Sequence, residues 1–453
     1  MLAHAEDAAV SKLLRGGALH SVYQPVVDLY TGDIVGYEAL IRGPAGSALE
    51  SPDALFAAAR ARACVAELDR DCRELAVDGA LSAGLGPPLA LFVNVEPAWL
   101  DGGPLLDAGH EALVAAGSLR LILEFTEREL TARPADVLAL VERYRRLGCG
   151  IALDDVGKDA RSLALLAFVA PDLIKLDKRL VQERTSGSAA RTIHAVRAHT
   201  ERSGAKVLAE GVETEAHRRS AIALGARYAQ GWLFGRPAPL DRPPRSTHAP
   251  RPQDSPQPAD PTVADDASWL GPWRRSSPRV AGSSSFATIS ANRVTRNADK
   301  PLLCELSQQL EVQASELGPE AVLLATFQHR RFFTPRTARH YQELAERLAL
   351  VAAIGVDMPP EPAPGVRGAH LEPDDPLRGE WTIVVISAHF AAAFAATEIP
   401  EPTDISGPFQ YAMTFDRDLA IAAASILMQR VIPSSPPATD WSRSGGSAVG
   451  EDV

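Results

Sequence analysis

Along the first 240 residues, the pattern of apolar and polar positions changes repeatedly between one typical of strands and one typical of helices. Short apolar runs, which are typical of buried strands, are separated by stretches in which apolar residues recur every three or four positions, as in amphipathic helices. The eight strand-like runs are SVYQPVVDL, DIVGYEALI, LALFVNVE, LRLILEFTE, GIALDDVG, LIKLD, KVLAEGVE and YAQGWLFG. This alternation predicts a βα repeat around a parallel sheet.

The first two runs differ from the others in how they are joined. Only the turn around Tyr30, Thr31 and Gly32 separates them, and this turn predicts an antiparallel hairpin because a parallel crossover needs many more residues. The other runs are separated by segments long enough for a helix or a long loop. The pattern therefore favours an α/β fold of the TIM type, a (β/α)8 barrel with one antiparallel strand, over an open sheet.

The composition changes after the last strand-like run. From Pro239 to about Ser285 the chain is rich in proline and poor in apolar residues, and such a segment cannot bury a core. A length of 453 residues agrees with two domains. We predict a barrel over residues 15–240, a linker over 241–285, a smaller α/β domain over 286–432 and a disordered tail over 433–453.

The second region again combines helical and strand-like patterns. Helices are predicted over residues 300–317, 334–355 and 416–431, because apolar residues recur there at helical spacing. Buried strands are predicted over residues 321–328 and 380–390, where the apolar runs are short and continuous. The region therefore predicts a second, smaller α/β domain.

The charge and the cysteine content of the chain restrict the range of possible functions. The chain has 46 Lys and Arg against 57 Asp and Glu, a formal charge of -11, so no overall positive field attracts a long nucleic acid or an anionic membrane surface. Its four cysteines show no CxxC spacing, and no segment offers the ~20 continuous apolar residues that a membrane span needs. We expect a protein of the reducing cytoplasm without membrane insertion.

Polar side chains lie near the ends of the predicted strands, at the rim where barrels of this type carry functional residues. They are Glu38, Asn94, Glu124, Asp154, Asp155, Lys175, Glu210 and Gln230. One acidic residue at a strand end is most often a helix cap or a solvated charge. Several that converge would repel one another unless divalent cations lay among them, and Mg²⁺ or Mn²⁺ prefers such oxygen ligands. The set predicts a metal cluster.

Seven ordered motifs carry a family resemblance. They are YQPVVDLYTGDIVGYEALIR, FVNVEP, LEFTE, ALDDVG, IKLD, AEGVE and QGWLFGRP, and the series resembles the EAL domain of bacterial cyclic di-GMP phosphodiesterases over about residues 15–240. The resemblance implies hydrolysis of cyclic di-GMP to linear pGpG with two divalent ions, Mg²⁺ or Mn²⁺. It also implies a homodimer formed through the barrel.

The resemblance assigns roles to individual residues of this chain. It implies that one ion binds Glu38, Asn94, Glu124 and Asp154, and that the second ion binds Asp155. Catalytic roles are implied for Glu210, which would hold or activate the attacking water, for Lys175, which would steady the water or the phosphate, and for Glu127, which would brace the loop after the fifth run. Substrate contacts are implied for Gln24, Arg42, Gln230 and Pro237.

The segment after the paired aspartates departs from the family pattern. Active EAL domains usually continue with phenylalanine, glycine, threonine, glycine, tyrosine and serines, whereas this chain continues VGKDARSL. The second glycine and the tyrosine are absent, which restricts the backbone and removes an apolar anchor. We expect ion pairs to hold this loop instead, with Glu127 paired to Lys158 or Arg161.

Three functions are compatible with these residues. The first is an active phosphodiesterase regulated by the second domain, and the second is a catalytically weak receptor that binds cyclic di-GMP and signals through a partner protein. The intact ligand set favours the enzyme. A glycoside hydrolase with two carboxylates would use the same fold, but Asn94, Lys175 and the Asp154-Asp155 pair disfavour it.

The second region resembles the DICT domain, a small sensory module of bacterial signalling proteins. The resemblance runs from about Phe286 to Ile432 and is carried by KPLLCELSQQLEVQA, DPLRGEWTIVVISAHFAAAF and TFDRDLAIAAASILM. It implies a sensory role for an unknown signal. A domain that serves only packing or dimerisation is the alternative.

Overall fold

The computed structural model describes residues 19–96, 105–126, 133–159, 161–183, 186–241, 284–291, 293–399 and 408–431. Glu127, most of the predicted linker and the predicted tail lie outside these residues. In the described part of the chain, no helix combines the length and the apolar character that a membrane crossing requires.

The first part of the chain folds into a closed barrel of eight strands in sequence order. The strands are β1 (His20–Asp28), β2 (Ile34–Arg42), β3 (Ala90–Asn94), β4 (Arg120–Phe125), β5 (Gly150–Val156), β6 (Leu173–Leu176), β7 (Lys206–Ala209) and β8 (Tyr228–Gln230). Strand β1 runs antiparallel to both of its neighbours, β2 and β8, and the remaining pairs are parallel. The predicted TIM-type barrel with one antiparallel strand is confirmed.

Helices surround the barrel, and their ends follow from local sequence. They are α1 (Pro52–Arg60), α2 (Val65–Ser82), α3 (Ala108–Ala115), α4 (Pro134–Leu147), α5 (Arg161–Val169), α6 (Lys178–Gln182), α7 (Gly187–Ser203) and α8 (Glu215–Ala223). Ser186 and Thr214 cap the first turns of α7 and α8 by accepting backbone hydrogen bonds, and Gly148 ends α4 in the left-handed region at φ 100°. These helices hold each strand end at a fixed place on the rim.

The second part forms a seven-stranded sheet with helices on both faces. The strands are β9 (Arg296–Ala298), β10 (Val322–His329), β11 (Leu350–Val356), β12 (Arg367–His370), β13 (Glu380–Ile386), β14 (Ala391–Glu398) and β15 (Phe409–Thr414). Their order in the sheet is β12-β11-β10-β13-β14-β15-β9. The helices are α9 (Ser285–Ser290), α10 (Lys300–Leu317), α11 (Pro335–Ala345) and α12 (Arg417–Met428). One face packs on α9 and α12, and the other packs on α10 and α11.

One predicted helix of this domain is wrong in its second half. The helix predicted over residues 334–355 ends at Ala345, and Leu350–Val356 forms β11 instead. The run LALVAAIG is apolar at almost every position, because β11 lies between β10 and β12 and is buried on both faces. A continuous apolar run of this length does not distinguish a buried strand from a buried helix.

Helix α5 of the barrel packs directly against the second domain. Its residues Ala164, Ala167 and Phe168 belong to the same apolar cluster as residues of α9 and α12. Polar contacts flank this cluster, because Arg202 donates a hydrogen bond to the Ala388 carbonyl at 3.1 Å and an Arg191 nitrogen lies 3.8 Å from a Glu320 oxygen. Helix α5 begins five residues after the last residue of β5, so this contact lies close to the strand that carries Asp154 and Asp155.

A chain that ends at Asp241 is expected to keep the barrel fold, because the apolar clusters inside and around the barrel draw almost entirely on barrel residues. The apolar face of α5 that includes Phe168 would no longer be packed against the second domain and would be exposed to solvent. We expect a cooperative thermal transition by circular dichroism, together with self-association that Phe168→Ser relieves. Insoluble or unfolded protein, with and without Phe168→Ser, would contradict the predicted domain boundary.

Candidate active site

The pleat of the barrel strands places the polar residues of the predicted site directly above a layer of apolar side chains inside the barrel. Side chains two residues apart on a strand point to the same face. Directly below the rim, the barrel interior is filled by apolar side chains, among them Phe92, Ile122, Ala152, Leu173, Leu208 and Tyr228. Two residues further along the same strands come Asn94, Glu124, Asp154, Lys175, Glu210 and Gln230. The polar set therefore meets at one end of the barrel, as the sequence predicted.

The two consecutive aspartates both serve this rim because β5 is irregular there. Its pairing with β6 shifts register between Leu153 and Val156, and Asp155 has a positive φ of 58°. A regular strand would point neighbouring side chains to opposite faces, whereas an irregularity re-aims one of them. The Asp155 amide also donates to Asp154 Oδ1 at 2.8 Å, which fixes the Asp154 carboxylate.

Lys175 lies at the centre of the carboxylates. Its side chain is buried, and its Nζ lies 2.9 Å from Glu124, 2.9 Å from Glu210, 3.3 Å from Asp154 and 3.6 Å from Glu38. The arrangement brings four carboxylates around one buried cation. Asp155 extends the set, since its carboxylate is close to those of Asp154 and Glu210.

A chain of amide side chains orients Glu38. Asn94 Nδ2 donates to Glu38 Oε1 at 3.0 Å, and Gln230 Nε2 donates to Glu38 Oε2. Gln230 also donates to Gln24 Oε1 at 2.9 Å, and Gln24 donates to the Gly235 carbonyl at 2.9 Å. The hydrogen bonds connect β3, β2, β8 and β1 across the rim, so they hold the Glu38 carboxylate in one orientation.

Burial, together with the charges of the neighbouring groups, shifts the pKa values of these residues. Burial raises the pKa of Glu210 to about 8, with repulsion from Asp154 and Glu38 adding to the rise and Lys175 opposing it. Burial likewise raises the pKa of Glu124. Burial disfavours the charged form of Lys175, but four carboxylates together raise its pKa well above the usual range. A single lysine does not balance the carboxylates around it.

The donor set suits divalent cations. Asp154, Asp155 and Glu210 each offer a carboxylate oxygen within 4.8 Å of the others, and Glu124 adds a further buried carboxylate, which lies 2.9 Å from Lys175 Nζ. Hard oxygen ligands in this number match Mg²⁺ or Mn²⁺. Cations here would relieve the repulsion that adds to the raised pKa values of Glu124 and Glu210. The residues therefore fit the metal site that the sequence predicted.

Some predicted site residues lie away from this cluster. Arg42 lies four residues beyond Glu38 on β2, roughly 13 Å along the strand, and its guanidinium donates to the Ile41 carbonyl. Pro237 precedes Ala238, which pairs with Tyr23 of β1 through the backbone. Both residues lie outside the carboxylate cluster. Glu127 is outside the described residues, so its predicted pairing with Lys158 or Arg161 stays a prediction.

Two features near the rim were missed at the sequence level. Lys158 Nζ lies 3.3 Å from Asp155 Oδ2, so this lysine pairs with a predicted metal ligand. Trp232, two residues beyond Gln230, is 51% exposed, and the Arg236 guanidinium lies 3.8 Å from the centre of its ring. The QGW motif was the feature of the sequence that could have drawn attention to Trp232. The exposure of the Trp232 side chain could not be predicted, because the residue lies in an apolar run.

Comparison with known families identifies both parts of the chain. The model of the EAL domain family matches residues 7–237, and the chain belongs to that family. The model of the DICT family, described as a sensory domain in diguanylate cyclases and two-component systems, matches residues 287–398. Both resemblances seen in the sequence are confirmed.

Two curated relatives are similar to about half of the chain. The cyclic di-GMP phosphodiesterase RocR of Pseudomonas aeruginosa is 33% identical over 248 residues, 52% of this chain and 62% of RocR. An uncharacterized protein of Mycobacterium tuberculosis is 34% identical over 235 residues, 50% of this chain and 37% of that protein. The chain thus spans less than two thirds of the length of these relatives.

A solved structure is also similar to about half of the chain. The structure described as a PaMucR phosphodiesterase in complex with c-di-GMP is 27% identical and has a TM-score of 0.46. The match covers 52% of this chain and 98% of that structure.

Proposed function

We propose that the barrel hydrolyses one phosphodiester bond of cyclic di-GMP and releases linear pGpG, with two divalent ions, Mg²⁺ or Mn²⁺. The observation that carries the proposal is the group of four carboxylates around Lys175 at the rim of an EAL-family barrel. When bound, divalent ions lower the pKa of water and neutralise charge on the reacting phosphate.

The residues of the chain have distinct parts in this proposal. Glu38, Asn94, Glu124, Asp154 and Asp155 hold the cations. Glu210, whose carboxylate lies 2.9 Å from Lys175 and within 4.8 Å of those of Asp154 and Asp155, accepts the proton of the attacking water as a general base. Lys175 supplies fixed positive charge beside the phosphate. Gln24, Arg42, Gln230 and Pro237 contact the nucleotide, and the phosphate is the partner that we assign to Arg42.

We further propose that the second domain regulates this reaction through α5. The support is the apolar cluster that α5 shares with α9 and α12, together with a crevice of about 230 Å³ that is lined by Gly157 and Lys158 after Asp155 and by Glu320 of the second domain. A change in the second domain would therefore act on the loop that follows the metal ligands. A barrel homodimer remains part of the proposal without a defined interface.

The Lys158–Asp155 pair favours one alternative, a receptor that binds cyclic di-GMP and turns it over slowly. The lysine occupies an oxygen that the second cation would use. An enzyme with this loop would need the pair to open before both cations bind.

Hydrolysis is expected to require Mg²⁺ or Mn²⁺ and to be poorly supported by Ca²⁺, because the larger ion adopts looser coordination and would misplace the attacking water. The measurement is the conversion of cyclic di-GMP to pGpG by chromatography, after dialysis against chelator and after addition of each ion. Undiminished turnover in excess chelator would rule out the metal-dependent reaction.

Replacing residues 158–161 with Thr-Gly-Tyr-Ser is expected to raise kcat severalfold and to leave the Kd for cyclic di-GMP nearly unchanged. The graft removes the Lys158–Asp155 pair and restores a glycine that widens the backbone choices of the loop. Lys158→Gln alone separates the effect of the pair from that of the backbone. The hypothesis that this loop slows hydrolysis fails if the graft leaves kcat unchanged and the protein with its natural loop already turns over at about 1 s⁻¹ or faster.

A further inference from the structure

A cavity of about 630 Å³ opens on the face of the second domain that carries α10 and α11. It is separate from the barrel rim, and its walls come mainly from α10, β10, β13, α11 and the segment that leads into α11. This volume lies in the range of roughly 300–1,000 Å³ that is typical of small-molecule sites. The cavity therefore has room for a ligand of up to about three aromatic rings.

Aromatic side chains form much of the cavity wall. Phe327 and Tyr341 meet edge to face with ring centres 5.3 Å apart, and Trp381, packed on Phe394 at 6.0 Å, adds a further ring. Rings held in this way present fixed flat and edge surfaces to a ligand. Such surfaces favour a planar, aromatic ligand over a flexible polar one.

The carboxylate of Glu311 in the cavity wall already has partners within the protein. Tyr341 donates its hydroxyl hydrogen to Glu311 Oε1 at 2.9 Å, and His340 Nε2 lies 3.1 Å from Glu311 Oε2. Both carboxylate oxygens thus have partners inside the protein. Glu311 therefore fixes Tyr341 and His340 in the wall, and it is poorly placed to bind a cationic ligand.

The open part of the cavity carries an excess of positive charge. Lys300, Arg331 and Arg336 line it and are exposed, against the exposed Glu398. Lys300 and Arg331 both lie over the ring of Phe332, at 5.3 Å and 4.9 Å from its centre. The two cations are therefore held together at the opening, where they would attract the charged end of an anion.

We propose that the second domain binds a planar aromatic anion, such as an aromatic carboxylate, in this cavity. The ring lies against Phe327 and Trp381, and the acidic group faces Lys300 and Arg331. Arginine in particular can hold a carboxylate with two parallel hydrogen bonds.

Helix α10 connects this cavity to the barrel. The helix lines the cavity with residues from Lys300 to Val312 and continues into the short 3₁₀ helix Gly318–Glu320. Glu320 lies in the crevice beside Lys158. A regulatory role for the cavity rests on the proposed function of the barrel. Binding of a ligand in the cavity does not depend on that function, so the test measures binding in the absence of cyclic di-GMP.

The test uses the full chain and 8-anilinonaphthalene-1-sulfonate, an aromatic sulfonate, as the fluorescent probe. Naphthalene-2-carboxylate should displace the probe at a concentration at least about tenfold lower than naphthalene-2-carboxamide, because only the former bears charge. The double variant Lys300→Gln/Arg331→Gln should weaken probe binding by about tenfold or more. Arg330→Gln, an exposed neighbour that does not line the cavity, should leave it unchanged.

A second measurement locates the bound probe. Cys304 lies in the cavity wall and Cys64 in the barrel, and both are free thiols. The probe should protect Cys304, but not Cys64, from iodoacetamide, as read by mass spectrometry of the unaltered protein. Equal displacement by the carboxamide, better displacement by a naphthyl trimethylammonium, or an unprotected Cys304 would each overturn the proposal.

Discussion

Glu210→Gln is expected to slow the hydrolysis of cyclic di-GMP by about 10²–10⁴-fold, the range typical for loss of a general base. Glutamine keeps the size of the side chain but cannot accept the proton of the attacking water. Folding should be little affected, because the substitution removes one of the carboxylates that crowd around Lys175 and thereby reduces their mutual repulsion.

The measurement is kcat from product chromatography together with Tm for the variant and the unaltered protein. Glu201→Gln is a suitable control, since Glu201 is exposed in α7 before the same strand β7. A Glu210→Gln rate within about twofold of the unaltered protein, far below the loss expected for a general base, would withdraw the role assigned to this residue.

Lys175→Met is expected to destabilise the protein by about 3–5 kcal/mol, as is usual when one partner of a buried ion pair is removed. The lysine is the buried cation within 4.0 Å of Glu38, Glu124, Asp154 and Glu210. Without it their repulsion is uncompensated. For a domain of this size, the loss corresponds to a fall in Tm of roughly 10 °C.

The experiment is a thermal melt in chelator, repeated with Mn²⁺. Cations bound among the carboxylates would replace part of the missing charge, so Mn²⁺ should raise the Tm of Lys175→Met more than that of the unaltered protein. Lys178→Met, at an exposed position three residues away, should change the Tm little. Equal melting of Lys175→Met and the unaltered protein in chelator would contradict the electrostatic role of Lys175.

The barrel could be predicted from the sequence because its signals are local. Short apolar runs marked each strand, and the tight turn at Gly32 required the first pair to be antiparallel. Site residues were predicted from their position near the ends of these strand-like runs. Glu38 differs, since it lies in the middle of β2, which continues to Arg42.

Other features depend on contacts between segments far apart in the chain. The division of residues 334–355 into α11 and β11 is decided by the neighbouring strands β10 and β12. Strand β14, AAAFAATE, has an alanine-rich sequence with little strand preference, and it forms because β13 and β15 pair with it on both sides. Likewise, the contact of Phe168 with the second domain has no marker in the sequence of α5.

The direct test of the central claim is turnover by the purified full-length chain. The chain is incubated with a large molar excess of cyclic di-GMP and Mn²⁺, and the nucleotides are separated by chromatography while binding is measured on the same sample. The account predicts many substrate molecules converted per protein molecule, with linear pGpG as the product and loss of conversion in Glu210→Gln. Saturable binding with cyclic di-GMP recovered intact would contradict hydrolysis and identify the barrel as a receptor.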